Sequence, residues 1–470
     1  MCPPRVKILA TVGPSSSSFD TIRKLVIEGV SGFRINFSHG DPDQWTEWIK
    51  IIREVSSELE KPVSIIGDLP GPQVRIGELP VQELHARQQI KLVYSNKSEA
   101  AGVIPIPIAK FFETLDLGDT ILIDDGKIIL RIVEVGEHEA IALVLNDAVL
   151  YPRKTVVIFG KEVDLPAITE RDVELIKYSV KHNLSYLAIS FVRSSKDIVI
   201  VKDLLNHLGV RINVISKIET RSAVRNLRDI ILESDAVLIA RGDLGMHYSL
   251  EELPSLQRRI SREAIQAGKP SIVATQLLET MVNYPRPSRS EVVDVMNAVY
   301  DLVDALLLTD ETAIGKYPVE TVRWLKRIIG SVDSRIIHSR ITETREKIKP
   351  ASLKDKYSLG LTLLAEKIDA KILLYTKTAT TPPLISRYRP QIPVYVGTTD
   401  RWTAEKFTIY YGITPYYIET QGQQLDYEQG VRTLYNILKN KGEITYGEIV
   451  AEAYGRREAE IHEIKIRQVL

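Results

Sequence analysis

Short apolar runs alternate with longer segments of helical period along most of the chain. The runs are VKILATVG, GFRINFS, PVSIIGDL, SYLAIS, INVISKIE, DAVLIAR, PSIVAT and DALLLT, and amphipathic stretches such as FDTIRKLVIEGV lie between most of them. Runs that are apolar throughout are typical of parallel strands buried on both faces. About eight such units predict an α/β fold, a TIM (β/α)8 barrel, with a doubly wound parallel sheet as the alternative.

The third unit is interrupted by a stretch of different period. From QQIKLVYSN to GDTILIDDGKIILRIVEVGEHEAIALVLN the chain alternates short strands and turns, until VDLPAITERD resumes the earlier rhythm. A connection of that length must either fold or be disordered, so residues 77–161 are predicted to form an inserted all-β domain. An insertion at the mouth of a barrel is well placed to act as a lid.

A further α/β unit follows the barrel. After the charged segment ITETREKIKPASLKDK come the helical pattern LGLTLLAEKIDA and the apolar strand KILLYT. We therefore expect three domains, as the length also suggests. They are a catalytic TIM barrel from residues 1–76 and 162–340, the β lid of residues 77–161, and a C-terminal α/β domain of residues 341–470.

Composition excludes several classes of protein. Lys and Arg number 61 and so do Asp and Glu, so no overall charge attracts nucleic acid or an anionic membrane. No apolar run approaches about 18 residues, and the start MCPPRVKILATVG lacks a signal-peptide pattern, so we expect a cytoplasmic protein. The single cysteine, Cys2, rules out an internal disulfide and a cysteine metal cage.

Polar residues occur where the apolar runs end. In a TIM barrel the chemistry lies at the C-terminal ends of the strands. The residues at these positions are Arg34, Asn36, Ser38 and His39; Asp68 and Arg75; Ser190; Lys217 and Glu219; Arg241 and Asp243; Thr275; and Thr309. One such residue is commonly a strand exit or a helix cap, but the whole set predicts a single site.

Lys217 and Glu219 lie two residues apart and so point to the same face of a strand. They can be interpreted as a buried ion pair, but such pairs add little net stability, which favours a functional site. Glu219 and Asp243 supply the hard oxygen ligands that Mg²⁺ takes. With Arg34 and Lys217 nearby, they indicate a Mg²⁺ site for a small phosphorylated, carboxylate-bearing substrate and hence phosphoryl transfer.

The lid carries charged residues of its own. Asp124, Asp125 and Lys154 are candidates for contacts with a nucleotide and its metal when the lid closes. The alternative is that Asp124 and Asp125, followed by Gly126, only form a hairpin turn.

Several segments together resemble the pyruvate kinase family in order and spacing. They are 10-ATVGPSS-16, 34-RINFSHG-40, 67-GDLPGPQVRIG-77, 163-VDLPAITERD-172, 189-ISFVR-193, 215-ISKIET-220, 240-ARGDLG-245, 274-ATQLLETM-281 and 308-LTDETAIGKYP-318. The resemblance implies transfer of the phosphoryl group of phosphoenolpyruvate to ADP, giving ATP and pyruvate by way of its enolate. It also implies Mg²⁺ or Mn²⁺ as cofactor and a homotetramer. One Cys and four Met suit an archaeal or thermophile-like variant.

The resemblance also implies roles for the site residues. Lys217 resembles the lysine that neutralises the phosphoryl group in flight, and Thr309 lies in the proton path. The other roles are divided as follows: Glu219 and Asp243 bind the divalent metal; Gly242, Asp243 and Thr275 hold the substrate carboxylate; Arg34 and Ser190 lie near the phosphoryl group; Asn36, His39, Arg75, Asp125 and Lys154 contact the nucleotide or its metal; Asn36, Ser38, Asp68 and the Leu69 carbonyl form the monovalent-cation site.

Two departures from the family pattern affect these expectations. The usual DTKGPEIR is 68-DLPGPQVR-75, so Gln73 replaces a glutamate beside the monovalent-cation site. Loss of that negative charge weakens the attraction for K⁺, and we expect a reduced or absent K⁺ requirement. The usual LSGET is 308-LTDET-312, in which Thr309 keeps the hydroxyl of the family's serine, and Asp310 adds a charge.

The C-terminal unit contains a hydroxyl-rich turn, 375-YTKTATTPPLISRYRP-390. A turn that enters a helix is the geometry in which the family binds effector phosphates. Thr376, Thr378 and Thr380, with Arg456 or Arg457, are therefore candidates to hold a phosphorylated effector, and a simple threonine N-cap is the alternative. The far end lacks the family's glycine-rich closing loop, which argues against fructose bisphosphate as that effector.

Two other functions remain as alternatives. A Mg²⁺-dependent aldolase or lyase on the same barrel shares carboxylate ligands and enolate chemistry, but it needs no nucleotide lid. A catalytically silent binding protein predicts damage at Lys217, Glu219 or Asp243, and all three residues are present.

Overall fold

Eight parallel strands form a closed barrel, so the predicted TIM barrel is confirmed and the open doubly wound sheet is not. The structure is a computed structural model that describes residues 5–420, 424–456 and 461–470, without the side chains of residues 455, 456 and 461. The first three barrel strands are β1 (Lys7–Thr11), β2 (Val30–Asn36) and β3 (Ser64–Asp68). The helices between them are α1 (Phe19–Glu28) and α2 (Pro42–Glu58).

The barrel helices begin where their sequences supply caps. Asp41 accepts hydrogen bonds from the backbone N–H groups of Asp43 and Gln44, and Pro42 occupies the first helical position of α2, where no N–H is needed. Helix α1 ends at Gly29, whose φ of 117° is accessible because glycine has no Cβ. These caps depend on neighbouring residues only, and they determine where each helix begins or ends between two barrel strands.

The segment between β3 and the rest of the barrel folds mainly as β-sheet. Its strands are β4 (Gln82–Leu84), β5 (Gln89–Tyr94), β6 (Val103–Ile106), β7 (Thr120–Ile123), β8 (Ile128–Val135), β9 (Glu139–Val144), β10 (Ala148–Leu150) and β11 (Val156–Ile158). Six of them form one sheet, in the order β11-β7-β8-β9-β5-β6, and β4 pairs with β10. A short helix, α3 (Ala109–Thr114), buries Phe111 and Phe112 and is not predicted from the sequence, since it lacks a side-chain cap.

The barrel resumes after this segment and closes with five further strands. They are β12 (Tyr186–Ile189), β13 (Asn213–Ile218), β14 (Ala236–Ala240), β15 (Ser271–Ala274) and β16 (Ala305–Leu308). The accompanying helices are α4 (Glu170–Lys181), α5 (Ser195–His207), α6 (Arg221–Arg225), α7 (Leu227–Glu233), α8 (Arg241–Leu244), α9 (Leu253–Ala267), α10 (Arg289–Tyr300), α11 (Asp310–Ala313), α12 (Pro318–Gly330) and α13 (Ser334–Lys347). The predicted boundary at residue 340 lies within α13, which contacts α10.

The C-terminal unit is a five-stranded sheet with helices. Its strands are β17 (Ala370–Tyr375), β18 (Val394–Thr398), β19 (Ile413–Tyr417), β20 (Ile449–Arg456) and β21 (Ile461–Gln468), and its helices are α14 (Leu353–Lys367), α15 (Thr381–Arg387), α16 (Arg401–Lys406) and α17 (Tyr427–Asn440). The sheet order is β19-β18-β17-β20-β21, parallel except for β21. Across residues 5–420, 424–456 and 461–470, no helix has the length and apolar character needed to cross a membrane.

The barrel interior continues into the core of the C-terminal unit. Small and large apolar side chains such as Ala188, Ile215 and Leu307 belong to the same buried cluster as Ile372 and Phe407. The C-terminal unit therefore packs against the N-terminal ends of the barrel strands, and the opposite end is left for the site.

Candidate active site

The barrel brings the predicted residues to its C-terminal end. Arg34 and Asn36 lie in the last part of β2, Asp68 ends β3, Ser190 directly follows β12, Lys217 lies in β13 with Glu219 just after it, Asp243 follows β14, Thr275 follows β15 and Thr309 follows β16. Because the strands are parallel, these residues from seven different strands lie around one mouth. Which of these side chains touch depends on the pairing register of neighbouring strands, and the closed barrel fixes that register.

Lys217 lies at the centre of the charged contacts. Its Nζ is 2.7 Å from Ser190 Oγ, 2.9 Å from Glu219 Oε1 and 3.5 Å from Asp68 Oδ1. Burial on its own lowers the pKa of Lys217, but the carboxylates of Asp68 and Glu219 outweigh it, so the pKa is raised. The mouth therefore holds a permanent, nearly buried positive charge.

Asp68 links Lys217 to a second cation. Its Oδ2 accepts a 2.6 Å hydrogen bond from Arg34 Nε, and Arg34 Nη1 also donates to Thr11 Oγ1 at 3.2 Å. Burial raises the pKa of Asp68, but Lys217 and Arg34 together lower it below its usual value. Asp68 thus fixes the positions of two cations around one point of the mouth.

Glu219 and Asp243 place two carboxylates side by side, and one oxygen of Glu219 has no hydrogen bond among the described residues. Glu219 is fully buried, and its Oε2 accepts a 2.7 Å hydrogen bond from the Phe191 N–H. Its Oε1 has no hydrogen bond of acceptable geometry, although Lys217 Nζ is close to it. Burial, together with the neighbouring charge of Glu219, raises the pKa of Asp243 to about 7. Two crowded carboxylates with an unsatisfied oxygen fit a divalent cation.

The donor set is small, which also fits Mg²⁺. In the part of the chain that the structure describes, no group of three or more His, Cys, Asp or Glu side chains could hold a metal. Mg²⁺ commonly binds through one or two carboxylates and keeps water or substrate oxygens as its remaining ligands. A pair of carboxylates is therefore a suitable protein contribution.

The backbone next to Gly242 and Asp243 is strained. Thr275 and Gln276 adopt φ values of 67° and 53°, a left-handed region that costs a non-glycine residue about 1–3 kcal/mol. This conformation lets Thr275 Oγ1 accept a 2.9 Å hydrogen bond from the Gly242 N–H. Arg241 is occupied elsewhere, because it pairs with Asp294 at 2.6 Å and donates to the Thr275 carbonyl.

The inserted β segment closes over the mouth. Asp125 influences the pKa values of both Arg75 and Asp243, and it lines a cleft together with Asp243. Asp124 instead pairs with Lys154 at 2.8 Å and with Lys127 at 3.3 Å. Asp124 and Asp125 do form the predicted turn, both with positive φ, and the two side chains have different partners.

The remaining nucleotide and cation candidates lie beside this cleft. Ser38, His39, Gln73 and Arg75 line a neighbouring cavity of about 420 Å³. Asn36 Oδ1 accepts a hydrogen bond from the Ser38 N–H at 3.1 Å. The Leu69 carbonyl accepts a 2.7 Å hydrogen bond from Ser190 Oγ. These residues are therefore adjacent in space as well as in sequence.

Three further residues lie at this end of the barrel and are not among the site residues predicted from the sequence. Thr11 binds Arg34, Thr312 Oγ1 donates to the Thr11 carbonyl at 2.9 Å, and the buried Glu311 accepts hydrogen bonds from the N–H groups of Leu278 and Thr309. Thr309 Oγ1 also lies 3.2 Å from Glu311 Oε2. Thr11 ends the first apolar run, so the rule applied to the other strands would have found it.

The predicted effector turn lies at the start of α15. Thr376 is buried and its Oγ1 accepts a hydrogen bond from the Ala379 N–H, while Thr378 and Thr380 bond to each other at 3.1 Å. Thr380 occupies the N-cap position without making a side-chain cap hydrogen bond. The Arg456 side chain and Arg457 lie outside the described residues.

Comparison with known proteins agrees with this geometry. A family model described as the barrel domain of pyruvate kinase matches residues 3–322, and one described as its alpha/beta domain matches residues 358–462. A pyruvate kinase from Aeropyrum pernix is 38% identical over 465 residues, 99% of each chain. One from Pyrobaculum aerophilum is 35% identical, covering 98% of this chain and 96% of the relative. A crystal structure of pyruvate kinase from Pyrobaculum aerophilum superimposes with a TM-score of 0.87 at 34% identity, covering 99% of each chain. The chain belongs to the pyruvate kinase family.

Proposed function

We propose that this protein transfers the phosphoryl group of phosphoenolpyruvate to ADP, with Mg²⁺ or Mn²⁺ as cofactor, and releases pyruvate and ATP. The observation that carries the proposal is the contact of Lys217 Nζ with Ser190, Glu219 and Asp68 at the mouth of the barrel. It places one fixed positive charge beside Glu219, which together with Asp243 is suited to a divalent metal. Phosphoryl transfer depends on such positioning and electrostatic stabilisation.

The roles that we propose for the residues are those implied by the resemblance to the family, and the positions of the residues support them. Lys217 and Arg34 balance the negative charge of the phosphoryl group, and Ser190 orients Lys217. Glu219 and Asp243 hold the divalent metal, which when bound neutralises phosphoryl and carboxylate oxygens. The N–H groups of Gly242 and Asp243, with the Thr275 hydroxyl, bind the substrate carboxylate, and Thr309 lies on the route of the proton that reaches the enolate.

The lid supplies the nucleotide contacts in this proposal. Asp125 faces Arg75 and Asp243, and Lys154 is held nearby by Asp124. Asn36, His39 and the lid residues then surround the ADP phosphates. We also propose three domains: residues 1–76 together with 162–340, residues 77–161, and residues 341–470. In this proposal the last domain binds a phosphorylated effector and takes part in a homotetramer. Light scattering, which measures the mass in solution, tests the homotetramer.

The monovalent-cation site is proposed to need little or no K⁺. Asp68 already balances Arg34 at 2.6 Å and Lys217 at 3.5 Å, so little of its negative charge is left for a further cation. Gln73 contributes no charge, and its Oε1 accepts a hydrogen bond from Arg75. Arg34 and Lys217 thus supply the positive charge that a bound K⁺ would otherwise supply.

A coupled assay for pyruvate tests the proposal, with phosphoenolpyruvate, ADP and Mg²⁺, run with K⁺ and with a tetraalkylammonium salt. We expect pyruvate formation that depends on ADP and Mg²⁺ and changes little between the two salts. Turnover without ADP would favour the aldolase or lyase alternative, and no turnover would favour a silent binding protein. A large loss in the tetraalkylammonium salt would refute the K⁺ proposal alone.

A further inference from the structure

A second charged cavity lies at the other end of the barrel, between the barrel and the C-terminal unit. Its volume is about 410 Å³, and its walls include Leu184 and Arg211, which precede β12 and β13. These two strands carry Ser190 and Lys217 at their opposite ends. The cavity is also separate from the threonine turn at the start of α15.

Three arginines and one glutamate line this cavity. They are Arg53 of α2, Arg211, and Arg401 and Glu405 of α16. Arg401 Nε lies 3.3 Å from Glu405 Oε1, so this pair balances one positive charge. Three guanidinium groups against one carboxylate leave an excess of two positive charges around the cavity.

Among the described residues neither of the other two arginines forms a close ion pair, although the charge of Glu405 acts on Arg53. Arg53 Nη2 donates to the carbonyls of His182 and, at 3.1 Å, Asn183, which satisfies N–H groups without adding negative charge. Within the described ranges, Arg211 makes no hydrogen bond or ion pair with another side chain. Burial lowers the pKa of Arg53, so its charged form is held at a cost.

A buried donor without an acceptor also lies in the wall. The indole Nε1 of Trp402 has no hydrogen-bond partner in the part of the chain that the structure describes. Glu405 supplies the one carboxylate of the wall, and its Oε2 accepts a 2.7 Å hydrogen bond from Ser185 Oγ. Trp402 Nε1 has almost no accessible surface, so the donors that a ligand can reach in this cavity are the guanidinium groups.

We propose that this cavity binds a small oxyanion with at least two negative charges, either a phosphate ester or a polycarboxylate. Guanidinium groups bind such oxyanions in a bidentate manner. Arg211 and Arg401 are exposed and therefore solvated, but only an anion supplies the two negative charges that balance the excess. The ligand would contact both the barrel, through Arg53 and Arg211, and the C-terminal unit, through Arg401.

Calorimetric titration of the full-length protein tests this site. The probes are pyrophosphate and tricarballylate, titrated separately in EDTA so that no divalent metal contributes. We expect at least one probe to bind, and Arg211→Gln and Arg401→Gln each to weaken its binding at least tenfold, about 1.4 kcal/mol. Binding of pyrophosphate alone identifies the phosphate ester class, and binding of tricarballylate alone identifies the polycarboxylate class.

Arg259→Gln is the matched control. Arg259 is a half-exposed arginine that pairs with Glu263 four residues later at 2.9 Å, as Arg401 does with Glu405, but it does not line the cavity. This variant should bind the probe within twofold of the unaltered protein. The proposal is overturned if neither probe binds. It is also overturned if Arg211→Gln and Arg401→Gln both bind the probe unchanged, because the probe would then bind elsewhere on the protein. Since the measurement is of binding, its failure leaves the proposed catalytic function untouched.

Discussion

Two buried charged clusters lie at opposite ends of the same barrel and are built differently. The mouth cluster consists of Arg34, Asp68, Lys217 and Glu219. The base cluster consists of Lys7, Asp304 and Arg389. In the mouth cluster, Arg34 and Lys217 balance Asp68, but the buried Glu219 Oε1 has no hydrogen bond among the residues that the structure describes. The mouth therefore retains binding capacity that the protein itself does not use.

The base cluster leaves no such capacity on its carboxylate. Asp304 receives Arg389 Nη1 and Nη2 at 2.8 and 2.6 Å, and the N–H groups of Ser271 and Tyr411 at 3.0 Å each. Asp304 and Arg389 are each only 2% exposed. The comparison shows that burial and charge alone do not distinguish a site from a structural contact. An unsatisfied carboxylate oxygen beside a second buried carboxylate, as at Glu219 and Asp243, does distinguish them, because it needs a ligand.

The largest expected effect comes from the mouth cluster. Lys217→Met should lower kcat by several orders of magnitude, because one transition-state cation contributes several kcal/mol. Folding should be retained, which circular dichroism and the thermal midpoint check, and Mg²⁺ binding should be largely intact. A variant that keeps more than about a tenth of kcat, a loss below about 1.4 kcal/mol, would contradict the assigned role.

The next effect should separate stability from activity. Arg389→Met leaves Asp304 buried without its partner, and we expect a loss of about 3–5 kcal/mol in the free energy of unfolding, measured with denaturant. The kcat at a temperature where the variant is folded should stay within about threefold.

Arg23→Met is the control for that measurement. It removes an exposed arginine that pairs with Glu58 at 2.8 Å, and it should cost less than about 1 kcal/mol. A large fall in kcat for Arg389→Met with unchanged stability would mean that the base cluster acts in catalysis, and the comparison would fail.

Lys7 gives the base cluster a pH dependence. Burial lowers its pKa to about 8, although Asp304 raises it, and the unfolded value is near 10.5. Between these values the unfolded chain binds more protons, so stability rises with pH across that window. Lys7→Met should therefore be more stable than the unaltered protein at pH 7, by about 1–3 kcal/mol, and this advantage should shrink from pH 8 to 10. Denaturation at several pH values measures it, and a destabilised variant at pH 7 would be the contrary result.

The sequence predicts the barrel and most of the mouth because strand ends are local features. Apolar runs mark the strands, and the parallel arrangement then collects Arg34, Lys217 and Thr275 at one end. The sequence does not predict which polar groups are already satisfied. Arg241 and Lys217 are both cations at the ends of apolar runs, but Arg241 already forms an ion pair with Asp294, which lies far along the chain. The base cluster and the arginine cavity are not predicted for the same reason, since Arg389 meets Asp304 and Arg53 meets Arg401 only through contacts between distant parts of the chain.

The smallest expected effect concerns the charge beside the mouth cluster. Gln73→Glu restores a carboxylate near Asp68, and by attraction it should lower the K⁺ concentration for half-maximal activity or create a K⁺ response where there is none. Arg75, which already binds Gln73, would neutralise part of the new charge, so we expect at most about a tenfold change, or about 1.4 kcal/mol. Activity titrated with K⁺ against a tetraalkylammonium background measures it. Gln89→Glu adds the same charge at an exposed position on the lid and should leave the response unchanged. An equal change in both variants would show that the net charge of the protein, and not a charge beside Asp68, controls the response to K⁺. In that case Arg34 and Lys217 alone would account for a low K⁺ requirement.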